Sequence, residues 1–90
     1  MKAFHVIISG DVQGVGYRSF LKREAQKLGI CGWVKNRDDG TVEAVIQGED
    51  IPLAKIIQKV KVGPDVGWVK DVDIQEEVVN ESITTFQVLY

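Results

Sequence analysis

Residues 30–48, "ICGWVKNRDDGTVEAVIQG", decide the fold. Both ends of the stretch are rich in β-forming residues, and "RDDG" between them is turn chemistry, with Gly40 able to take positive φ. On the return, Val42, Ala44 and Ile46 alternate with Thr41, Glu43, Val45 and Gln47, the period of two that belongs to a strand. The stretch therefore reads as a β-hairpin, and a strand and a helix flank it on each side. Upstream, "KAFHVIISG" sets Phe4, Val6 and Ile8 against Ala3, His5, Ile7 and Ser9, a strand with one face in the core. A helix follows from near Tyr17 to Leu28. Tyr17, Leu21, Glu24 or Ala25, and Leu28 recur at three- and four-residue steps, Phe20 widens the apolar side, and Gly29 holds the place of a C-terminal glycine. Downstream, "EDIPLAKIIQKVKVG" is a second helix, with Asp50 as its expected N-cap, Pro52 in the first turn, and Leu53, Ile56, Ile57 and Val60 as its buried stripe. Gly63-Pro64 stops it. "GWVKDVDIQEEVV" is a fourth strand with Trp68, Val72 and Ile74 on one parity, "NES" is a turn, and "TTFQVLY" is a short fifth strand.

The order β-α-β-β-α-β plus a terminal strand, with the hairpin in the middle, is the ferredoxin-like split-βαβ layout of the α+β class. Right-handed crossovers put both helices on one face of a mostly antiparallel sheet, giving a two-layer sandwich whose other sheet face is partly wet. Ninety residues form one domain, 1–90, large enough for a modest core without disulfide or metal staples. A net charge of −2, with 44% hydrophobic and 27% charged residues, gives no field that draws the chain to nucleic acid or a membrane. The lone Cys31 reads as a buried strand thiol. "AFHVIIS" is too short for a secretory signal and no apolar run reaches the roughly 20 residues of a membrane span, so a soluble cytoplasmic protein is expected.

The loop before the first helix carries the chemistry. A helix beginning near Tyr17 aims its free N–H groups and positive dipole end at "QGVG", residues 13–16, where Ser, Asp or Asn is the ordinary residue. Arg18 is placed there instead, and the conflict disappears if an anion sits between them. Gly14 and Gly16 let successive N–H groups form a concave nest, and the Arg18 fork suits two phosphate oxygens. The loop is neither a Rossmann fingerprint, because Ser19 stands where the third glycine would, nor a Walker A loop, because no Gly-Lys-Ser/Thr follows. A tight Gly-rich turn with Arg18 solvated or paired to a carboxylate remains the other reading of the same residues. Asn36 ends its strand on the parity of Ile30, Gly32 and Val34, so its carboxamide faces the helix layer and can hold a water through its C=O. Asparagine beside a turn also has purely local uses. His5, opposite in parity to the core residues, reads as a wet-face residue and not a base. "NRDDG" lacks the spacing and terminal Glu of a calcium loop.

These motifs carry a resemblance. "VQGVGYR" together with "GWVKN…DG.VEA…G" is similar to the acylphosphatase family, small enzymes that hydrolyse acyl phosphates, over most of the chain and more weakly after residue 50. The resemblance implies that Gln13, Gly14, Val15, Gly16, Tyr17 and Arg18 form a phosphate-binding loop, that Arg18 binds the phosphoryl group, and that Asn36 orients the attacking water. It implies hydrolysis of the carboxyl–phosphate bond with no cofactor and no metal. A small-molecule acyl phosphate is the expected substrate, inorganic phosphate the expected product and competitive inhibitor, and a monomer with no nucleic-acid or membrane partner the expected state. Tyr17 stands where the family more often has Phe and needs a partner for its hydroxyl. "GPDVGWV" departs from the usual Gly-Pro-Pro-x-Ala-x-Val at Asp65, Gly67 and Trp68. The chemistry is self-consistent: a carboxylate leaving group needs no strong general acid, and a loose phosphoryl transition state needs position and positive potential. The competing readings are a non-catalytic phosphate- or carbamoyl-phosphate-binding module of the kind built into larger maturation enzymes, and an RNA-binding α/β plait. The latter needs aromatic platforms that "TVEAVIQG" lacks. Trp33 and Trp68 are assigned to partly buried core roles. The α-carboxylate of Tyr90 is a fixed charge that could steady Arg18.

Overall fold

The computed structural model describes residues 1–90. Its elements are β1 (Lys2–Asp11), α1 (Tyr17–Lys27), β2 (Cys31–Asn36), β3 (Val42–Gly48), α2 (Asp50–Val62), β4 (Trp68–Glu77) and β5 (Phe86–Val88). The sheet order is β4-β1-β3-β2-β5. β1 pairs antiparallel with β3 and β4, β2 pairs antiparallel with β3, and β5 runs parallel to β2. This is the ferredoxin-like sandwich with an added edge strand.

One core lies between the helices and one face of the sheet. Val6 and Ile8 of β1, Val34 of β2 and Val42, Ala44 and Ile46 of β3 meet Tyr17, Leu21 and Ala25 of α1 and Leu53, Ile56 and Val60 of α2. The period-two and period-3.6 stripes of the sequence are thus the two walls of this layer. Phe20, Leu28 and Ile57, at the stripe margins, are partly buried. Gly29 has φ of 68°, and the Ile30 N–H returns to the Ala25 carbonyl, closing α1 as its sequence requires.

Three expectations are corrected. Glu49, not Asp50, is the N-cap of α2, and Asp50 is its first helical residue. The chain is still extended at Glu49, so the turn into the helix begins one residue early. Asp50 then acts through its charge in the first turn and makes no side-chain cap bond. Trp68 is 57% exposed and off the core, while Val69, Val72 and Ile74 pack against it. The cause is a bulge: Ser9 pairs with Asp71 but Gly10 with Val69, so Lys70 is an extra residue and the parity of β4 reverses across it. Cys31 is half-buried, because it shares the second sheet face with Trp33, also half-buried. That face is not uniformly wet. Gln47 is buried, and its side-chain amide donates to the Asn80 and Ile83 carbonyls and accepts from the Asn80 N–H, which fastens the chain between β4 and β5 to the sheet. His5 lies on this face, donating from Nε2 to Glu43 Oε2 at 2.6 Å.

Candidate active site

The end of β1 and the start of α1 are joined by residues 12–16, and this loop runs past the end of β2 and the residues after β5. Gly16 is the N-cap of α1 in the left-handed region (φ 80°, ψ 20°) and places no side-chain oxygen over the helix end. Its carbonyl accepts from the Phe20 N–H at 2.9 Å, the first bond of the helix. The backbone N–H groups of residues 14 to 19 meet no protein acceptor. An ordinary Ser or Asp cap would have taken one or two of them.

Arg18, in the first turn of α1, leans across to the residues after β5. Its Nη1 donates to the Leu89 carbonyl at 3.3 Å, and its guanidinium carbon lies 4.7 Å from the centre of the Tyr90 ring. None of the ion pairs in the structure involves Arg18. The expected support from the Tyr90 carboxylate is replaced by the preceding carbonyl and the Tyr90 ring, and the positive charge of Arg18 is not neutralised by a carboxylate.

Asn36 closes β2 on the buried parity, opposite Val42 of β3. It lines a cleft of about 100 Å³ together with Gly14, Gly16, Arg18, Ser19 and Tyr90. It is the smaller and more enclosed of two adjoining hollows. Past Asn36 and Tyr90 it adjoins a wide depression of about 580 Å³ whose other walls include Lys35, Arg37, Asp38 and Asp39. Gly14, Gly16, Tyr17, Arg18 and Asn36, separate in sequence, therefore border one cleft. Gln13 and Val15 stand behind it: Gln13 Nε2 donates to the Arg37 and Thr41 carbonyls at 2.7 and 2.8 Å, and Val15 packs against the core. The Tyr17 ring is buried, and burial raises its hydroxyl pKa far above the usual phenol value. The hydroxyl donates to the Val60 carbonyl at 2.8 Å, the partner that the Phe-to-Tyr departure required.

The places of three further residues have no local signal in the sequence. Leu89 and Tyr90 reach the site because β5 runs parallel to β2, with Val88 opposite Val34, so the chain beyond β5 travels beside Asn36. Gly67 backs the loop from the other side. A Cβ there would come within 2.3 Å of the Asp11 carbonyl oxygen and 2.9 Å of Val15, at a φ of 83°, so only glycine lets the α2–β4 connection approach the loop this closely.

A sequence model of the acylphosphatase family matches residues 4–88. An acylphosphatase of Thiobacillus denitrificans is 49% identical over 76 residues, covering 84% of this chain and 85% of that protein. The crystal structure of acylphosphatase from Bacillus subtilis superposes with a TM-score of 0.95 at 39% identity over 100% of both chains. The structure of full-length HypF in a phosphate- and nucleotide-bound form is similar at a TM-score of 0.87 and 26% identity, with 99% of this chain covering 12% of that one.

Proposed function

Because the chain belongs to the acylphosphatase family, hydrolases that cleave the carboxyl–phosphate anhydride of acyl phosphates, we propose that Arg18 and the free N–H groups of residues 14–19 hold the phosphoryl group while Asn36 orients the water that attacks it. One observation carries this reading: a guanidinium without a carboxylate partner, backbone donors without acceptors and a carboxamide line the same small cleft. The water oxygen bonds to phosphorus, the bond from phosphorus to the acyl oxygen breaks, and its electron pair leaves on the carboxylate. The proton released by the water passes to solvent or to the departing phosphate. Charge on the equatorial oxygens meets Arg18 and the N–H groups, which are oriented before the reaction begins. The carboxylate leaving group is already a stable anion, so the reading needs no general acid, metal or cofactor. The wide polar depression beside the cleft gives acyl groups of different size room, in keeping with broad specificity. The same reading makes inorganic phosphate a competitive inhibitor, and beside it we propose a single-domain, cytoplasmic monomer acting without a nucleic-acid or membrane partner.

The test is hydrolysis of benzoyl phosphate, followed by ultraviolet absorbance with a chelator present, for the wild type and Asn36→Ala. Wild-type turnover is expected to survive the chelator, and Asn36→Ala to lose about 10²-fold or more in kcat while still binding inorganic phosphate. The likeness to one part of HypF, solved in a phosphate- and nucleotide-bound form, leaves a second reading in which the domain binds phosphate without turnover. Phosphate binding with no wild-type hydrolysis would select it.

A further inference from the structure

Gln13 belongs to the loop by sequence, yet it does not line the cleft, and its side-chain amide is taken up by the β2–β3 turn. Nε2 has two hydrogens, and both are used: one reaches the Arg37 carbonyl at 2.7 Å and the other the Thr41 carbonyl at 2.8 Å. These two carbonyls mark the two sides of the β2–β3 turn. The Arg37 N–H donates to the same Thr41 carbonyl, the Gly40 N–H donates to the Arg37 carbonyl, and the Asp39 carboxylate caps the Thr41 N–H and hydroxyl. Arg37 follows Asn36 directly. Gln13 therefore clasps the turn at the residue next to Asn36, and it does so from the residue next to Gly14, where the free N–H groups of the loop begin.

We propose that Gln13 is a positioning residue that fixes the separation between the phosphoryl cradle and Asn36, so that water and phosphorus meet at the reacting distance. The inference rests on the roles proposed above for Arg18 and Asn36. The loop and the turn come from different parts of the chain, and they meet only at the margin of the sandwich. Strand pairing ends at Asp11 and at Asn36, and the backbone bonds beyond Asn36 close the turn on itself without reaching the loop. A displacement of about 1 Å between reacting groups costs up to 10²-fold in rate, and the two bonds of Gln13 oppose that displacement.

The experiment is a double-mutant cycle on the whole chain, with Gln13→Leu made alone and together with Asn36→Ala. The readouts are kcat for benzoyl phosphate and the inhibition constant of inorganic phosphate. Gln13→Leu is expected to lower kcat roughly tenfold or more in the wild type, to lower it less than about threefold once Asn36 is already Ala, and to shift the phosphate constant less than about threefold. An equal loss in both backgrounds would mean that Gln13 does not act through Asn36. A loss of phosphate affinity as large as the loss of kcat would mean that it shapes the cradle instead. Either result overturns the inference. Full turnover by Asn36→Ala would first overturn the role given to Asn36, a failure visible without any Gln13 variant, and the inference would fall with it. Should Gln13→Leu not fold, Gln13→Asn keeps the amide but is one methylene short of the carbonyls, and the same split between kcat and phosphate affinity is expected of it.

Discussion

Arg18 sits where the dipole of α1 opposes a cation, and the fold holds it there by two contacts that a point charge cannot make together. The planar guanidinium lies against the Tyr90 ring and extends an N–H to the Leu89 carbonyl, leaving its other donors for a ligand. A lysine keeps the charge but has neither the plane nor the fork. Arg18→Lys is therefore expected to lower kcat by about 10²-fold or more and to weaken inhibition by inorganic phosphate. Turnover within about threefold of wild type would show that charge alone suffices. At this scale the sequence was legible where the signal was local. Arg18 against a helix start and glycines at 14 and 16 state a conflict that an anion resolves, and Asn36 could be given its face by parity. The ring and carbonyl behind Arg18 could not be read, because they depend on which strand β5 joins and in which direction. The double bond from Gln13 was hidden for the same reason: its acceptors are carbonyls in a turn more than twenty positions away.

Among the elements, the junction of α1 and α2 turns on one hydroxyl. Val60 lies in the last turn of α2, and the residue four positions on is Pro64, which has no N–H to return to the Val60 carbonyl. The Tyr17 hydroxyl supplies the missing donor at 2.8 Å, from a ring only 1% exposed. Tyr17→Phe removes that donor and leaves a buried carbonyl unpaired. A loss of about 1–3 kcal/mol is expected, seen as a lower denaturation midpoint at unchanged m-value. A midpoint equal to wild type would mean that solvent replaces the bond. The elements themselves were legible because each stripe repeats over several turns or pleats, and the boundaries of α1, β2, β3 and α2 fall within a residue or two of their sequence signals. Trp68 was misplaced because a bulge reverses parity at a single residue, Lys70, and nothing in "GWVKDV" marks which residue is extra. The N-cap of α2 was off by one because Glu49 and Asp50 are both able to begin a helix.

Across the whole molecule, charged networks lie on both outer layers of the sandwich, and each is centred on a carboxylate. On the open sheet face, Glu43 of β3 accepts from His5 of β1 at 2.6 Å and faces Lys35 of β2 at 3.6 Å, tying three strands together. On the helical face, Glu24 of α1 pairs with Lys27 at 3.1 Å and reaches Lys59 of α2 at 3.7 Å. The hydrogen bond from His5, with the charges of Lys35 and Arg37 nearby, lowers the Glu43 pKa. The hydrogen bond from Lys27, followed by its charge and that of Lys59, lowers the Glu24 pKa. A carboxyl that is more acidic in the native state takes up its proton more readily in the unfolded chain. Its stabilisation is therefore complete above the unfolded value of about 4.3 and is lost as pH falls through the lower native value. The thermal midpoint of the wild type is accordingly expected to hold near neutral pH and to fall below about pH 4.5. Glu43→Gln cannot gain this charge, so it is expected to start a few degrees lower at pH 7 and to lose less on acidification, the two curves converging toward pH 3. Calorimetric midpoints at half-unit steps from pH 7 to 3 check this. Parallel curves over the whole range would mean that the strap across the open face contributes through packing and hydrogen bonding that protonation leaves intact, and not through the charge of Glu43.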